Sequence, residues 1–153
     1  MKLFVFSLFY ICKKTLIKFN HNNFLIIPAF DLTQWLVTIA DSENYIIGKL
    51  VYNFVDADTI LSLNQEYLNH DTDTDILTFD YTEGAKIIAE VYISCPALLE
   101  NARMNNQSAE RETLRLLSHA LLHCFGFADK TVAEKKVMRA KEEDFIKLFH
   151  VKH

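Results

Sequence analysis

Residues 119–129 read His119-Ala120-Leu121-Leu122-His123-Cys124-Phe125-Gly126-Phe127-Ala128-Asp129. Two histidines four apart lie on one side of a helix, so both rings can reach one metal ion. Gly126 can stop that helix in a left-handed turn. The chain can then fold back and offer Asp129 as a third ligand. Two His and one carboxylate favour a single zinc ion, with other transition metals compatible. Three protein ligands leave a fourth position for water, which marks a catalytic rather than a structural site. Zinc would lower the pKa of that water from about 15.7 towards 7.

The spacing H-x3-H-x2-G-x2-D matches the zinc frame of metzincin proteases, with Asp for the usual third His. Those proteases place a general-base Glu directly after the first His, and here that position is Ala120. Cys124 follows a ligand directly, but on a helix it points about 100° away from His123. It is read as a buried structural thiol rather than a fourth ligand.

Outward from this stretch, Ser108 is the expected N-cap of the metal-binding helix, with Glu110 and Glu112 near its positive end. Leu114, Leu117, Leu121 and Cys124 form one stripe, and His119 and His123 lie roughly opposite. A helix this apolar on several faces is mostly buried. A last helix follows Thr131 and runs to about Phe149. Upstream, Asp31 can cap a helix through about Ala40, with Leu32, Trp35, Leu36 and Ile39 at helical spacing. Residues 46–54 read as a strand, and Asp56 or Asp58 starts a helix containing Ile60, Leu61, Leu63 and Tyr67. Strands over 76–81 and 86–94 join as a hairpin around Glu83-Gly84. A helix covers about 97–105, after Pro96. Residues 16–27 hold apolar runs broken by His21-Asn22-Asn23, as in strand or hairpin pieces. Strands alternating with helices, and a hairpin in the middle, predict an α+β domain: a central mixed β-sheet with helices packed on it, one of them the H-x3-H helix.

The chain has 153 residues, half of them hydrophobic, with only 3 Gly and 2 Pro. That balance belongs to one compact domain with a real core, not to a disordered chain. The net charge of −4 gives no bulk signal for nucleic acid, although it leaves room for a local basic patch. Cys12, Cys95 and Cys124 are odd in number and widely spaced, which fits a reducing, cytoplasmic setting rather than a disulfide framework. At the N-terminus, Lys2 precedes an apolar run from Leu3 to Cys12, and Lys13-Lys14 follows. The run resembles a short signal-peptide core but lacks a small-x-small cleavage site and is too short to span a bilayer. No membrane association is expected. A buried strand or helix, or an upstream extension of the true start, is the reading kept.

Two charged stretches bear on chemistry. Asp71-Thr72-Asp73-Thr74-Asp75 mimics the opening of a calcium loop, but Ile76 stands where Gly is needed and Thr82 where Glu is needed. Asx and Ser/Thr turns before a strand are expected instead. Residues 130–141 hold Lys130, Lys135, Lys136, Arg139 and Lys141 against one acid, Glu134. They form either a solvated helix face or a basic rim beside the metal that attracts a polyanion. Arg103, Arg111 and Arg115 could extend such a rim.

With these pieces placed, the chain resembles the YbeY family of metal-dependent ribonucleases of ribosomal RNA maturation. Leu63-Asn64-Gln65-Glu66-Tyr67, then Asp71 and Thr74-Asp75-Ile76-Leu77-Thr78-Phe79, are similar to the family's N-x-x-Y…D-x-x-T-D-[VI]-[LI]-[ST]-F. Glu90-Val91-Tyr92-Ile93-Ser94 is like its G-D/E-I-x-I-S strand. The His119–Asp129 frame is like its H-x3-H-x2-G-x2-[HD], and Met138-Arg139-x-x-Glu142-Glu143 fits downstream. The chain departs from the family where many members carry Arg after the Tyr, here Leu68, and where Gly-Asp is commoner than Ala89-Glu90. Residues 1–15 match no part of the family and are set aside as an N-terminal extension, leaving 16–150 as the domain.

The resemblance implies a cytoplasmic zinc-dependent endoribonuclease that cuts single-stranded RNA at the 3′ end of small-subunit ribosomal RNA and serves ribosome quality control. Its partners would be ribosomal RNA and the small subunit, not DNA. His119, His123 and Asp129 would hold one zinc ion. Glu90 would orient water or a ligand His, and Lys130, Lys135, Lys136 and Arg139 would position the RNA backbone. The rivals are a zinc metalloprotease, against which Ala120 counts, and a non-catalytic ribosome-assembly factor with a structural metal.

Overall fold

The structure is a computed structural model that describes residues 15–68 and 74–152. Five-residue β1 (Leu16–Asn20) begins a four-stranded sheet of order β1-β2-β4-β3, with β2 spanning Ile46–Val55, β3 Ile76–Asp80 and β4 Lys86–Ser94. β1 and β4 both run parallel to β2, while β3 is antiparallel to β4, so the sheet is mixed as expected. Helices α1 (Ala29–Ser42), α2 (Ala57–Leu68), α3 (Cys95–Met104), α4 (Ala109–Cys124) and α5 (Val132–Lys152) pack around it.

Strand β2 shows how the core face is kept. The register shifts between Ile47 and Lys49, and Gly48 sits at the shift. The extra residue lets Ile47 and Leu50, three apart, both point inward, and Tyr52 and Phe54 then alternate normally. A Cβ on Gly48 would meet the Lys86 side chain at 2.6 Å. In β4 the inward row is Ile87, Ala89, Val91 and Ile93. This row meets α1, α4 and α5 through Leu32, Trp35, Leu36, Leu117, Leu121, Ile146 and Phe149 in one cluster. Three polar ties cross that core. The Trp35 indole donates to the Phe145 carbonyl at 2.7 Å. The Tyr52 hydroxyl donates to Leu117 O at 2.8 Å, and the Tyr45 hydroxyl donates to Phe125 O at 3.2 Å.

Several boundaries differ from the sequence reading. Only residues 16–20 of the 16–27 stretch form a strand. Asn22 and Asn23 both take positive φ, and the Phe24 amide donates back to His21 O at 2.7 Å, which turns the chain out of the sheet. Helix α1 starts three residues early, with Pro28 rather than Asp31 at its N-cap, and Asp31 lies in the first turn. Pro28 does this because its fixed φ of −58° already suits helix entry. Pro96 likewise lies inside the first turn of α3, where a missing N–H costs nothing, and Ser94 caps that helix by accepting from the Ala97 amide. Asp56 rather than Asp58 starts α2, its carboxylate accepting from the Thr59 amide at 2.8 Å. Residues 1–14 and the Asp71–Asp73 part of the polar run lie outside the described residues. No helix among the described residues is long and apolar enough to cross a membrane.

Candidate metal centre

Helix α4 begins as its sequence dictates, with Ser108 Oγ accepting from the Arg111 amide at 3.0 Å. Most of its surface is buried, and Leu114, Leu117, Ala120 and Leu121 are 0% exposed. The helix is thereby held by its neighbours on every side except the one carrying the histidines. It ends where Gly126 adopts φ +95°. The Gly126 amide donates to His123 O at 2.9 Å and the Phe127 amide to Leu122 O at 3.0 Å, the paired bonds of a Schellman stop. The reversal carries residues 127–129 back along the helix.

The three expected ligands converge. The Nε2 atoms of His119 and His123 are 3.0 Å apart. Asp129 Oδ2 lies 3.3 Å from the first and 3.4 Å from the second. Among the described residues these three form the one group of such side chains with donor atoms gathered closely enough to hold an ion. Donors on a tetrahedral zinc ion, each about 2.0–2.1 Å from it, lie about 3.3 Å from one another, so the spacing fits.

The far nitrogens explain why the near ones face each other. His123 Nδ1 is 2.9 Å from the Phe127 carbonyl, which can only accept, so Nδ1 carries the proton. His119 Nδ1 is 2.7 Å from Glu142 Oε2, an acceptor when ionised. Both Nε2 atoms are therefore left as lone pairs, aimed at each other and at a carboxylate oxygen. Three acceptors in van der Waals reach repel unless a cation or an added proton sits among them. This is the usual way a protein orients ligand imidazoles, with carbonyl and carboxylate partners behind the rings.

Glu142 lies on α5 and is 3% exposed. Its Oε2 also lies 3.7 Å from Arg115 Nη1. Arg115 forks onto Glu112 with bonds of 2.9 and 2.6 Å and reaches Asp75 at 3.7 Å. Asn101 Nδ2 bridges the same two acids at 2.9 Å to Asp75 and 3.3 Å to Glu112. Desolvation works against the Arg115 charge, but its hydrogen bonds to Glu112, with Glu142 and Asp75 nearby, outweigh it and hold the pKa above the ordinary value.

Glu90 is not brought to this centre. Its neighbours Ala89 and Val91 face the core shared with α4, so Glu90 points from the other face of the sheet. There it accepts from the Tyr92 hydroxyl at 2.6 Å, and that bond first, then burial, pushes the tyrosine pKa up to about 12. The carboxylate that orients a histidine is Glu142. Its signal in the sequence is an acid placed inside the apolar stripe Met138, Phe145, Ile146 and Phe149 at helical spacing.

Lys130, Lys135, Lys136 and Arg139 are all exposed, Lys130 adjacent to Asp129 in the chain and the other three along the first half of α5. A capping box holds that start: Thr131 Oγ1 accepts from the Glu134 amide, and Glu134 accepts from the Thr131 amide. Arg103, Arg111 and Arg115 do not extend the rim, because each is neutralised, by Glu100, Glu143 and Glu112 respectively. Cys124 is 6% exposed, and burial, followed by the adjacent Asp80, pushes its thiol pKa up to about 12. It is no fourth ligand.

A family model described as Endoribonuclease YbeY matches residues 18–150 of this chain. An endoribonuclease YbeY of Christiangramia forsetii is 41% identical over 133 residues, covering 87% of this chain and 93% of the relative. One from Flavobacterium psychrophilum is 40% identical over 138 residues, covering 90% and 99%. The solution structure of TM1509 from Thermotoga maritima shares the fold, with a TM-score of 0.62 and 24% identity over 90% of this chain and 91% of that one.

Proposed function

Because the chain belongs to the endoribonuclease YbeY family, we propose that it is a zinc-dependent endoribonuclease that cuts single-stranded ribosomal RNA. Maturation of the small-subunit 3′ end and ribosome quality control in the cytoplasm would be its setting. The observation that carries the metal part of this reading is the convergence of two lone-pair Nε2 atoms and one Asp129 oxygen at tetrahedral spacing. A zinc ion held there would supply Lewis acidity and a water acidified towards neutral pH.

The chain's own residues do the rest. Phe127 O and Glu142 hold the two imidazole rings in the ligating tautomer. Lys130, Lys135, Lys136 and Arg139 bind phosphates on either side of the cut and fix the RNA in register. The ligand side chains are 14%, 31% and 38% exposed for His119, His123 and Asp129, so the substrate can approach from the Asp129 side. That opening, together with three ligands rather than four, argues against a purely structural metal. The metalloprotease reading is disfavoured because the residue after the first His is Ala120, whose methyl side chain cannot act as a general base.

Metal analysis of the purified protein, paired with cleavage of single-stranded RNA and of casein, tests the proposal. Wild type should carry about one zinc per chain and cut RNA only. His119→Ala should lose both zinc and RNA cleavage; retention of both would overturn the assignment.

A further inference from the structure

The Glu142 carboxylate is gripped from two sides through one oxygen. Oε2 faces His119 Nδ1 at 2.7 Å and Arg115 Nη1 at 3.7 Å. His119 and Arg115 are one turn apart on α4, and Glu142 enters between them from α5. A carboxylate that is 3% exposed and faces a neutral imidazole needs a cation on its other side. Arg115 is that cation. Its own position is set by the fork onto Glu112, itself 4% exposed, and by Asp75 at the entry to β3. A polar cavity of about 600 Å³ opens beside the pair, lined by Arg115 and Glu142 together with Asn105, Gln107 and Arg139. It gives the carboxylate room to leave His119 for water if the guanidinium is removed.

We propose that Arg115 is a positioning residue of the metal centre: it holds Glu142 against His119 and ties that pair to Asp75 at the start of β3. The hydrogen bonds and ion pairs of Arg115 go to Glu112, Asp75 and Glu142 and to none of the three ligands, so it acts through Glu142. The contact series Asp75–Arg115–Glu142–His119 thus links the segment leading into β3 with one imidazole of the centre. This inference rests on the metal reading above.

Two readouts besides activity test it: zinc affinity by competition with a chromogenic chelator, and the His119 tautomer by nitrogen NMR of histidine-labelled apoprotein. Arg115→Met leaves Glu112 as a second uncompensated charge, so Arg115→Met/Glu112→Gln is made alongside it. Both should weaken zinc binding about 10–100-fold, the usual effect of losing a partner behind a ligand. Both should also show His119 with mixed tautomers, while wild type holds the proton on Nδ1. Arg115→Lys, which keeps the charge but not the fork, should weaken zinc binding less. Folded Met variants with wild-type zinc affinity and a wild-type His119 tautomer would overturn the proposal. If the Met variants do not fold, Arg115→Lys decides alone: weakened zinc binding supports the proposal and unchanged binding rejects it. His119→Ala separates the two levels. Should that variant keep zinc, the metal reading fails; should it lose zinc while the Arg115 variants bind normally, only the role of Arg115 fails.

Discussion

Glu142 Oε2 meets His119 Nδ1 at 2.7 Å across two helices. The contact joins α5, which starts beside Asp129, to α4, which carries both histidines. One acid therefore couples the packing of two helices to the direction of one imidazole lone pair. Glu142→Gln keeps the shape but can present an amide N–H to Nδ1 and release the ring. Zinc affinity should fall about 10–100-fold, with a much smaller change in the melting temperature of the apoprotein. Chelator competition and calorimetry on the same preparation measure the two effects.

Asp129 should be more tolerant of change to His than to Ala. Asp129→His restores a nitrogen donor at the end of the same turn and should retain zinc, whereas Asp129→Ala leaves two ligands and should lose most of it. Metal content after dialysis against a weak chelator ranks the three proteins.

The exposed cations after Asp129 should act through charge alone. If Lys135 and Lys136 each neutralise one phosphate, the double change to Ala should reduce the slope of log affinity against log salt for single-stranded RNA by about 1.4. Zinc content should not change. Filter binding at several salt concentrations gives the slope, and an unaltered slope would remove both residues from the interface.

Gly126→Ala forces a side chain onto a residue with φ +95°. No atom lies within 4 Å of the added Cβ, so the cost is backbone strain alone, about 1–2 kcal/mol. Urea unfolding of the apoprotein measures it. Zinc affinity should fall as well, because the same turn delivers the Phe127 carbonyl to His123.

Alkaline pH should destabilise the protein through Cys124. Its thiol ionises near 9.0 when unfolded but is pushed up to about 12 in the fold. The folded state therefore binds a proton that the unfolded state has lost, and stability falls as pH rises from the first value through the second. Tyr52, raised by burial and then by the Cys124 charge, acts in the same direction. Cys124→Ala should flatten the decline in melting temperature between pH 8 and 10.5, and the difference from wild type isolates the thiol.

The convergence of His119, His123 and Asp129 was legible because all three lie within eleven residues, the histidines at helical spacing and Asp129 just beyond the glycine that ends the helix. The mixed sheet was legible from alternation in β2 and β4 and from the turn at Glu83-Gly84. What escaped is non-local. Glu142 is joined to His119 only by how α4 and α5 cross, and an acid in an apolar stripe says that it is paired without saying to what. Glu90 was misplaced because strand alternation gives two faces and does not say which one meets α4. Pro96 reads as the residue before its helix, although a first turn accommodates proline. Arg103, Arg111 and Arg115 looked like free positive charge, because their acids sit on other turns or on another helix.

The Schellman reversal has a kinetic consequence. His119 and His123 ride on a helix locked into the core, while Asp129 rides on the short loop beyond Gly126. Lifting that loop would withdraw Asp129 without unpacking the helix that carries the two histidines. Residence time of a bound ion, as distinct from its affinity, would then be set by the five residues of backbone between His123 and Asp129.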